Sequence, residues 1–427
     1  MMAGYLIVGL LGGMLLGCQA NAVRPEYSAW VPLPEVNAKL AFTCVHETIP
    51  ASSAETDEVF QYARWLQKNN QLKQDKTVDA EIERLYRIAA ENGHYKANIN
   101  LQNGALRGHF KLRGEEHLRL SQELIDADVA TGYYFVGIFL QQGSAGLERD
   151  PEMALRYYRK AADLGSAQAQ FYVGEKLEPS DIAPKIALQM YRCAAEQGSG
   201  EAAVALGIYQ KNYKNYQAAL VALQLGVAAG SSTSASFLSK GFRRPPISNE
   251  LHYLSLQEDL ERAERYEKIW RVLANYSYAS PSIPEINDIV PLPPTKLPPW
   301  DGKLQWLEAR LANVPPPKPT DALINELARA KLLEPATGKP MPGSPAFIKA
   351  SSPAPTCQSG QACPHTGYWQ ASRLTDASQA SLQGGTIRHF EEGEILPLQS
   401  VERHHRRFLR ADITTIEEEI VEWRLLG

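Results

Sequence analysis

The residues of this sequence with the clearest chemistry are its cysteines. There are five, and apart from Cys18 they form an even set, Cys44, Cys193, Cys357 and Cys363. An even set suits disulfide bonds in an oxidising compartment. Cys357 and Cys363 enclose a short polar loop and are predicted to pair with each other. Cys44 and Cys193 either pair or stay buried and free, and we favour a bond because the segment around Cys44 could dock on the helix predicted around Cys193.

Two clusters contain metal-ligating or acid–base side chains. A zinc site at Cys357, Cys363 and His365 is the alternative to a disulfide, but a second pair of ligands is missing. The segment Gly114–His117 places two acids and a histidine on a predicted helix without a third ligand in register, so a solvated helix face is favoured there. We therefore predict neither a metal site nor a cofactor.

Motifs typical of enzymes and of nucleic-acid binders are missing from the sequence. There is no Gly-x-Ser-x-Gly, no His-Glu-x-x-His and no phosphate-binding glycine loop. We predict a protein that is not an enzyme, and a hydrolase within the carboxyl-terminal part is a minor alternative. The net charge is −4 and the pI is about 6.2, which argues against nucleic acid as a partner. The one basic cluster, Glu402–Arg410, is interpreted as a solvated loop rather than a contact for anionic lipid or an acidic partner.

The elements that position these residues are indicated by a motif that recurs along the chain. Its strong copies are YRIAAENGH, YRKAADLGS and YRCAAEQGS, at Tyr86–His94, Tyr158–Ser166 and Tyr191–Ser199. With two weaker copies, successive closing glycines are 39, 33, 33 and 32 residues apart, and these glycines are Gly93, Gly132, Gly165, Gly198 and Gly230. A period in the low thirties is typical of solenoids built from helix pairs.

Each part of the motif has a structural reason. Paired alanines keep a helix while a neighbouring helix approaches, glycine ends the helix in the left-handed conformation, and Asp150-Pro151 is a helix start. These residues resemble Sel-1-like repeats, a tetratricopeptide-related family, over Asp79–Gly230. The resemblance implies a mainly α fold, a right-handed α-solenoid that works by binding another protein. The copies that end at Gly132 and Gly230 depart from the pattern and are interpreted as degenerate or end-capping.

The amino-terminal residues indicate export. Leu6–Leu16 is an apolar run that is too short to span a bilayer and suits a signal peptide. It leads into Leu-Leu-Gly-Cys, which resembles the bacterial lipobox and implies cleavage before Cys18 and acylation of its sulfur. An ordinary amino-terminal anchor is the alternative. Gln19 at the next position implies delivery to the outer membrane, and several acyl chains on one cysteine anchor a protein stably.

Beyond the repeats, the composition changes twice. A long charged helix is predicted over Leu254–Tyr278, and the prolines of Pro281–Leu307 predict an extended strap. The segment Lys240–Leu307 resembles a domain of unknown function that follows Sel-1-like repeats in proteobacterial lipoproteins. Trp300 and Trp306 of the strap are candidate partner-binding residues, although the favoured interpretation is that they pin the strap to the core.

The last part of the chain carries a different pattern. A proline-bounded linker with one short helix, Asp321–Leu333, precedes segments that alternate like strands. The chain is thus predicted to contain a signal peptide over 1–18, an amino-terminal cap over 19–78 with a helix at Asp57–Asn69, a repeat solenoid over 79–235, a helix-and-strap domain over 236–310, a linker over 311–356 and a small β-module over 357–427. This module weakly resembles the carboxyl-terminal modules of proteins encoded near type VI secretion effectors.

The function implied by the resemblance is protein binding at the membrane. Lipoproteins with this repeat-and-strap arrangement resemble immunity proteins paired with type VI secretion phospholipases, so we expect a lipid-anchored protein on the periplasmic side of the outer membrane that neutralises a secreted lipase. An envelope scaffold or stress-signalling adaptor is the alternative. Candidate contact residues follow the closing glycines, although a place in the core between repeats is equally compatible for each: Tyr133, Tyr134, Phe171, Tyr172 and Tyr209.

Overall fold

The computed structural model describes residues 41–112, 114–178, 183–347, 355–374, 380–405 and 413–426. The predicted signal peptide, the lipidation site at Cys18 and the first part of the amino-terminal cap lie outside these residues. Within the described ranges, no helix has the length and apolar character needed to cross a membrane.

The predicted mainly α solenoid is confirmed. Its helices pack as successive antiparallel neighbours, and their bounds are α1 Ala54–Asn70, α2 Lys76–Glu91, α3 Tyr95–Leu106, α4 Gly114–Asp126, α5 Thr131–Gln142, α6 Pro151–Asp163, α7 Ala167–Leu177, α8 Pro184–Glu196, α9 Gly200–Asn212, α10 Tyr216–Ala228 and α11 Ser232–Gly241. Alanines of the motif are fully buried between these helices, among them Ala89, Ala161 and Ala194. The solenoid core is therefore continuous from one repeat to the next.

The closing glycine and the residue after it together form the turn between two successive helices. Gly93, Gly165, Gly198 and Gly230 have φ values of 84°, 108°, 88° and 86°, a conformation that glycine adopts without strain. The next residue caps the following helix, because its side chain accepts a hydrogen bond from the backbone N–H three residues on; these caps are His94, Ser166, Ser199 and Ser231. The dipeptide therefore ends one helix and begins the next.

Gly132 is not a closing glycine, which corrects the predicted repeat boundary. It lies within α5, and the left-handed residue of this turn is Asp128, with φ 56°. Asp128 N–H donates to the carbonyl of Ile125, as Gly93 N–H donates to that of Ala90. Aspartate is among the few residues other than glycine that tolerate this conformation, so the turn is preserved although the glycine is absent.

A second set of glycines, missed in the sequence, lets successive repeats interlock. A Cβ atom at Gly137 would lie 2.8 Å from the ring of Tyr158, and one at Gly174 would lie 2.7 Å from the ring of Tyr191. At Gly207 the equivalent neighbour is the side chain of Leu223, at 2.9 Å. Tyr158 and Tyr191, which open their motifs, and Leu223 at the equivalent position thus pack against the bare backbone of the preceding helix.

The solenoid is followed by a shorter helix than predicted and by the strap. Helix α12 is Leu260–Asn275, because Ser255 has φ 54° and Asp259 caps the helix by accepting from the N–H of Arg262. The strap contains a short 3-10 turn at Ser277–Ala279 and helices α13 Ile286–Ile289 and α14 Gln305–Ala312. The prolines of the strap have no N–H to donate to a sheet, and the strap carbonyls accept instead from arginines of α12. Arg262 donates to the carbonyl of Pro291 at 3.2 Å, and Arg265 donates to that of Ile289 at 2.8 Å.

The chain beyond the strap returns to the first repeat and closes the solenoid into a ring. Trp65 Nε1 donates to the carbonyl of Asn313, and the side-chain amides of Asn69 and Asn313 bond to each other. Helix α15, Asp321–Ala330, packs on α1 and α2, and its Ile324 joins the buried core of the first repeat. Residues expected to form a linker therefore tie together the two ends of the solenoid.

The predicted small antiparallel β-module is also confirmed. Its strands are β1 Thr356–Gln358, β2 Gly367–Arg373, β3 Ala380–Leu382, β4 Ile387–Phe390, β5 Gln399–His405, β6 Ile413–Glu419 and β7 Val421–Leu425. Described strands form two antiparallel sheets, with orders β1-β7-β2-β4 and β3-β5-β6. The core of the module is built on Trp369 and Trp423, both fully buried.

Candidate functional site

Residues 41–52 lie across several repeats and are covalently fixed there. Cys44 forms a disulfide with Cys193 of α8, as the sequence favoured. Beside it, Glu47 accepts from the backbone N–H of Thr131 at 2.6 Å and from its hydroxyl at 2.9 Å. The amide of Gln170 donates to the carbonyl of Val45 at 2.9 Å. This segment therefore joins α5, α7 and α8 along the edge where the closing glycines lie.

A metal centre is not available at this bond. His46 lies near Cys44 and Cys193, and the three side chains have the proximity of metal ligands. Both sulfurs are consumed by the disulfide, so neither is a thiolate that could hold a metal ion.

The second predicted disulfide is absent, which corrects that expectation. Cys357 and Cys363 are free thiols in the apolar core of the β-module. The Cys363 thiol donates to the carbonyl of His365 at 3.1 Å, and Cys357 lies in β1 opposite Trp423. Burial, followed by the neighbouring Cys363, raises the pKa of the Cys357 thiol. The two cysteines are thus close to each other but are packed as apolar side chains rather than bonded.

Four of the candidate contact residues take part in aromatic contacts of the repeats: Tyr133, Tyr134 and Tyr172 contact Tyr157 or Tyr158, and Phe171 packs on the ring of Tyr191 at 5.8 Å. We define the aromatic row as Tyr133, Tyr134, Tyr157, Phe171 and Tyr172, all half-buried. The ring centroids of Tyr133 and Tyr157 are 6.1 Å apart, and the buried ring of Tyr158 lies between Tyr134, at 5.7 Å, and Tyr172, at 4.2 Å. These rings therefore pack on their neighbours and on the core, and part of each side chain remains accessible.

Lysine side chains flank the aromatic row. The ammonium group of Lys160 lies 6.0 Å from the ring centroid of Tyr133, and that of Lys176 lies 5.3 Å from Tyr172. Burial raises the pKa of the Tyr134 and Tyr157 hydroxyls, so these groups stay neutral hydrogen-bonding groups at neutral pH. Tyr368 of the β-module also contributes to the raised pKa of Tyr157, and the side chain of Tyr368 is 53% exposed.

The other predicted contact residues lie elsewhere. Tyr209 is half-buried on α9 and stacks on Tyr213 at 4.5 Å. Trp300 packs on the core of the strap, donates to the carbonyl of Lys303 at 2.8 Å and lies 5.8 Å from the guanidinium of Arg265. Trp306 is half-buried on α14 at the ring closure. The aromatic row and Trp306 are therefore separate surfaces.

The β-module contacts the solenoid through Arg424, which donates to the carbonyl of Gly146 at 2.7 Å, through Ile387, which packs on the solenoid core, and through one buried carboxylate that sequence reasoning assigned only a capping role. Asp150 is fully buried. Its Oδ1 accepts from the N–H of Met153 at 2.9 Å, which is the expected helix cap. Its Oδ2 accepts from the N–H and hydroxyl of Thr386, at 2.6 and 3.1 Å, and from the N–H of Ile387 at 3.0 Å. The Asp-Pro signal reveals the first role and carries no information about the second.

The acid–histidine segment at Gly114–His117 has a structural role. Glu116 is buried and forms an ion pair with Arg87. His117 lies 5.3 Å from the ring of Phe139, and burial lowers its pKa. Glu116 and His117 are thus engaged in packing between repeats.

Models of two families match the chain. The Sel1 repeat matches residues 130–166 and 167–199, and a domain of unknown function, DUF6396, matches residues 234–341. No curated protein matches the sequence.

Similar solved structures include three proteins of Pseudomonas aeruginosa. Immunity protein Pa5087 is 27% identical with a TM-score of 0.47, over 60% of this chain and 95% of that chain. Immunity protein PA5088 is 26% identical with a TM-score of 0.47, over 59% and 94%. PA5086 is 28% identical with a TM-score of 0.46, over 59% and 95%.

Proposed function

We propose that this protein, which combines Sel1 repeats with a DUF6396 domain, is an immunity protein that binds and neutralises a type VI secretion lipase. The aromatic row is the observation that carries the proposal. Immunity is the function named for two of the Pseudomonas structures described above. We propose the same function for this chain, and we propose a lipase as its partner because the sequence resemblance implies one.

The aromatic row has the composition of a protein-binding surface. Tyrosine rings supply large contact areas that lose little conformational entropy on binding, and they dominate binding hot spots. Here the rings are already fixed by their neighbours, since Tyr158 supports both Tyr134 and Tyr172. A preorganised surface of this kind lowers the cost of association.

We place the protein in the periplasm, anchored through Cys18. The disulfide between Cys44 and Cys193 supports this location, because such bonds persist in oxidising compartments and are rare in the cytosol. A lipase that attacks phospholipids acts at the membrane, so an anchored inhibitor has a high local concentration where it is needed. The covalent bond at Cys44 also fixes the solenoid to the chain that leads from the anchor.

Inhibition requires no chemistry from this protein. Covering the mouth of the lipase active site is sufficient to exclude the lipid substrate. We therefore propose a non-enzymatic mechanism, with the aromatic row on the lipase surface and the exposed Tyr368 of the β-module at its margin. An affinity in the nanomolar range, about 12 kcal/mol, would suit the neutralisation of a lethal enzyme.

The test uses the lipid-free form and a type VI secretion lipase encoded in the neighbourhood of the gene; a neighbourhood that holds no such lipase gene would favour the adaptor alternative. The lipase is directed to the periplasm of a host that does or does not also export this protein, and survival is measured. Protection is expected with the wild type. The double variant Tyr133→Ala/Tyr172→Ala should bind the lipase at least about tenfold more weakly, the range of a hot spot, and should protect less.

The control is Leu251→Ala, which removes an apolar side chain that is 58% exposed outside the row. It should bind and protect like the wild type, and circular dichroism should show that all variants are folded. If the wild type neither binds the lipase nor protects, the immunity proposal fails. A pull-down that then recovers only other envelope proteins would favour the scaffold or adaptor alternative.

A further inference from the structure

A large cavity lies where the ring closes, away from the aromatic row. Its volume is about 880 Å³, and it is lined by α1 and α3 on one side and by α14 with the preceding 3-10 turn on the other. The volume falls in the range of pockets that hold a ligand or a peptide segment. The cavity exists only because the strap returns to the first repeat.

The charge of this cavity is strongly unbalanced. Four cationic side chains line it, Arg64, Lys68, Arg107 and Arg310. Among the described residues that line the cavity, Asp79 is the one acidic residue. Its carboxylate is already engaged by Lys76 at 3.1 Å, the amide of Asn70 at 2.8 Å and His109 at 3.8 Å. An excess of positive charge therefore remains inside the cavity.

Among the described residues, the ion pairs of the lining and of α14 involve Lys76, His109 and Lys303 and none of these four cations. Arg64 donates to the amide oxygen of Gln67 at 2.9 Å, which is a neutral partner. Burial, followed by the charge of Arg310, lowers the pKa of Lys68. Lys68 and Arg310 are half-buried, whereas Arg64 and Arg107 are exposed. Like charges gathered around a partly buried site favour the binding of an anion.

Aromatic and amide side chains complete the lining. The guanidinium of Arg310 lies 5.4 Å from Tyr278, 5.7 Å from Trp306 and 5.9 Å from Tyr276. These rings fix its position while its donors stay available. The Oε1 atom of Gln71, which is part of the lining, is buried and has no hydrogen-bond partner among the described residues. This orphan amide is a ready partner for the backbone of a bound chain.

We propose that this cavity binds an acidic segment of a partner protein, with at least two carboxylates held by Arg310, Lys68 and the neighbouring arginines. Guanidinium groups bind carboxylates in bidentate geometry. The amide side chains of the lining pair with the peptide backbone, and Val314, which is 76% exposed at the rim, supplies an apolar contact. The site is distinct from the aromatic row, and its existence does not depend on the partner being a lipase.

The experiment measures the binding of fluorescein-labelled hexaglutamate to the lipid-free wild type by fluorescence anisotropy. Hexaglutamine and hexalysine of the same length are the comparison probes. Hexaglutamate is expected to bind more tightly than both, and its affinity should fall as ionic strength rises. Free citrate distinguishes a site for any carboxylate from one that needs a peptide, because a peptide site should prefer hexaglutamate over citrate.

Two sets of variants localise the effect. Neutralising one cavity cation should weaken hexaglutamate binding about fivefold, the factor that corresponds to about 1 kcal/mol. The first variant is Arg310→Gln. The second, Lys68→Gln/Arg107→Gln, leaves the aromatic cage around Arg310 intact and keeps the test decisive if the first fails to fold.

The matched control is Arg192→Gln, which removes an exposed cation of α8 outside the cavity. It should bind hexaglutamate like the wild type. Equal binding of hexaglutamate and hexaglutamine, or equal affinity of the Lys68→Gln/Arg107→Gln variant and the wild type, would overturn the proposal. A wild type that binds hexaglutamate through the cavity but neither binds the lipase nor protects would overturn only the proposed immunity function.

Discussion

Removing the disulfide between Cys44 and Cys193 should markedly lower the free energy of unfolding. The two cysteines are 149 residues apart in sequence, so the bond closes a long loop in the unfolded chain. The chain-entropy model gives about 5 kcal/mol for a loop of this length, and native disulfides contribute about 2–4 kcal/mol in typical cases. The hydrogen bonds of Glu47 and Val45 remain in the folded state of the variant. We therefore expect a loss of about 3 kcal/mol.

The assay is urea denaturation followed by circular dichroism, with the double variant Cys44→Ser/Cys193→Ala and with the wild type in dithiothreitol. Reduction breaks the bond without changing the volume of the buried Cys193 side chain, whereas the double variant also makes that side chain smaller. Comparing the reduced wild type with the double variant therefore separates the effect of loop closure from the effect of packing. Cys357 and Cys363 are already thiols, and the reductant leaves them unchanged. The double variant should accordingly be insensitive to dithiothreitol.

Two results would contradict this reasoning. An oxidised wild type and a double variant within about 0.5 kcal/mol of each other would show that loop closure contributes nothing measurable. A double variant that is itself destabilised by dithiothreitol would show that another disulfide exists, in conflict with the free thiols of the β-module.

Three further predictions concern the repeats and the docking of the β-module. Gly174→Ala should lower the free energy of unfolding measured in urea. The added methyl group would clash with the ring of Tyr191, at a cost of about 1–3 kcal/mol for overpacking, which exceeds the gain of about 1 kcal/mol in helix propensity. A stabilised variant would refute the interlock. His94 is buried, and desolvation is the main cause that lowers its pKa in the folded protein. In the unfolded chain the pKa is about 6.5, so the unfolded state binds the proton more readily than the folded state. Stability should fall as the pH drops below that value, and His94→Asn, which keeps a capping side chain, should show a smaller fall. Asp150→Ala should weaken the docking of the β-module on the solenoid by about 2–4 kcal/mol, since three donors of the module lose a buried partner. The contact of Arg424 with Gly146 remains, and faster proteolysis of the module would report the weakened docking.

The repeat architecture was predictable because its rules are local. Glycine, alanine and an aromatic residue recur at one spacing, and each acts on the helix that contains it or on the next one. The prediction was wrong at Gly132, since Asp128 adopts the left-handed conformation that glycine usually supplies. The spacing of Gly137, Gly174 and Gly207 was visible in the sequence and would have identified the interlocking positions.

The contacts that shape the candidate sites were not predictable because they join distant residues. Asp150 and Thr386 are 236 residues apart, and Trp65 and Asn313 are 248 apart. No local pattern marks either pair. The thiol state of Cys357 and Cys363 was missed for a related reason: an even cysteine count and a short intervening loop say nothing about whether the sulfurs face each other or pack into a core.

Ring closure changes how this solenoid should respond to perturbation. In an open solenoid each repeat contacts only its neighbours, so stability is close to a sum of local terms and the ends fray first. Here the first helix is covered by α15, and the carbonyl of Asn313 accepts from Trp65 of that helix. The cavity with its unpaired cations sits at this closure, so occupation by an acidic segment would stabilise the ring as a whole by binding the closed state alone. Arg310 faces the cavity from the strap side, where its guanidinium packs against rings of the 3-10 turn and of α14, while Arg64 and Lys68 face it from α1, so an anion that bridges the two sides would hold the closure together.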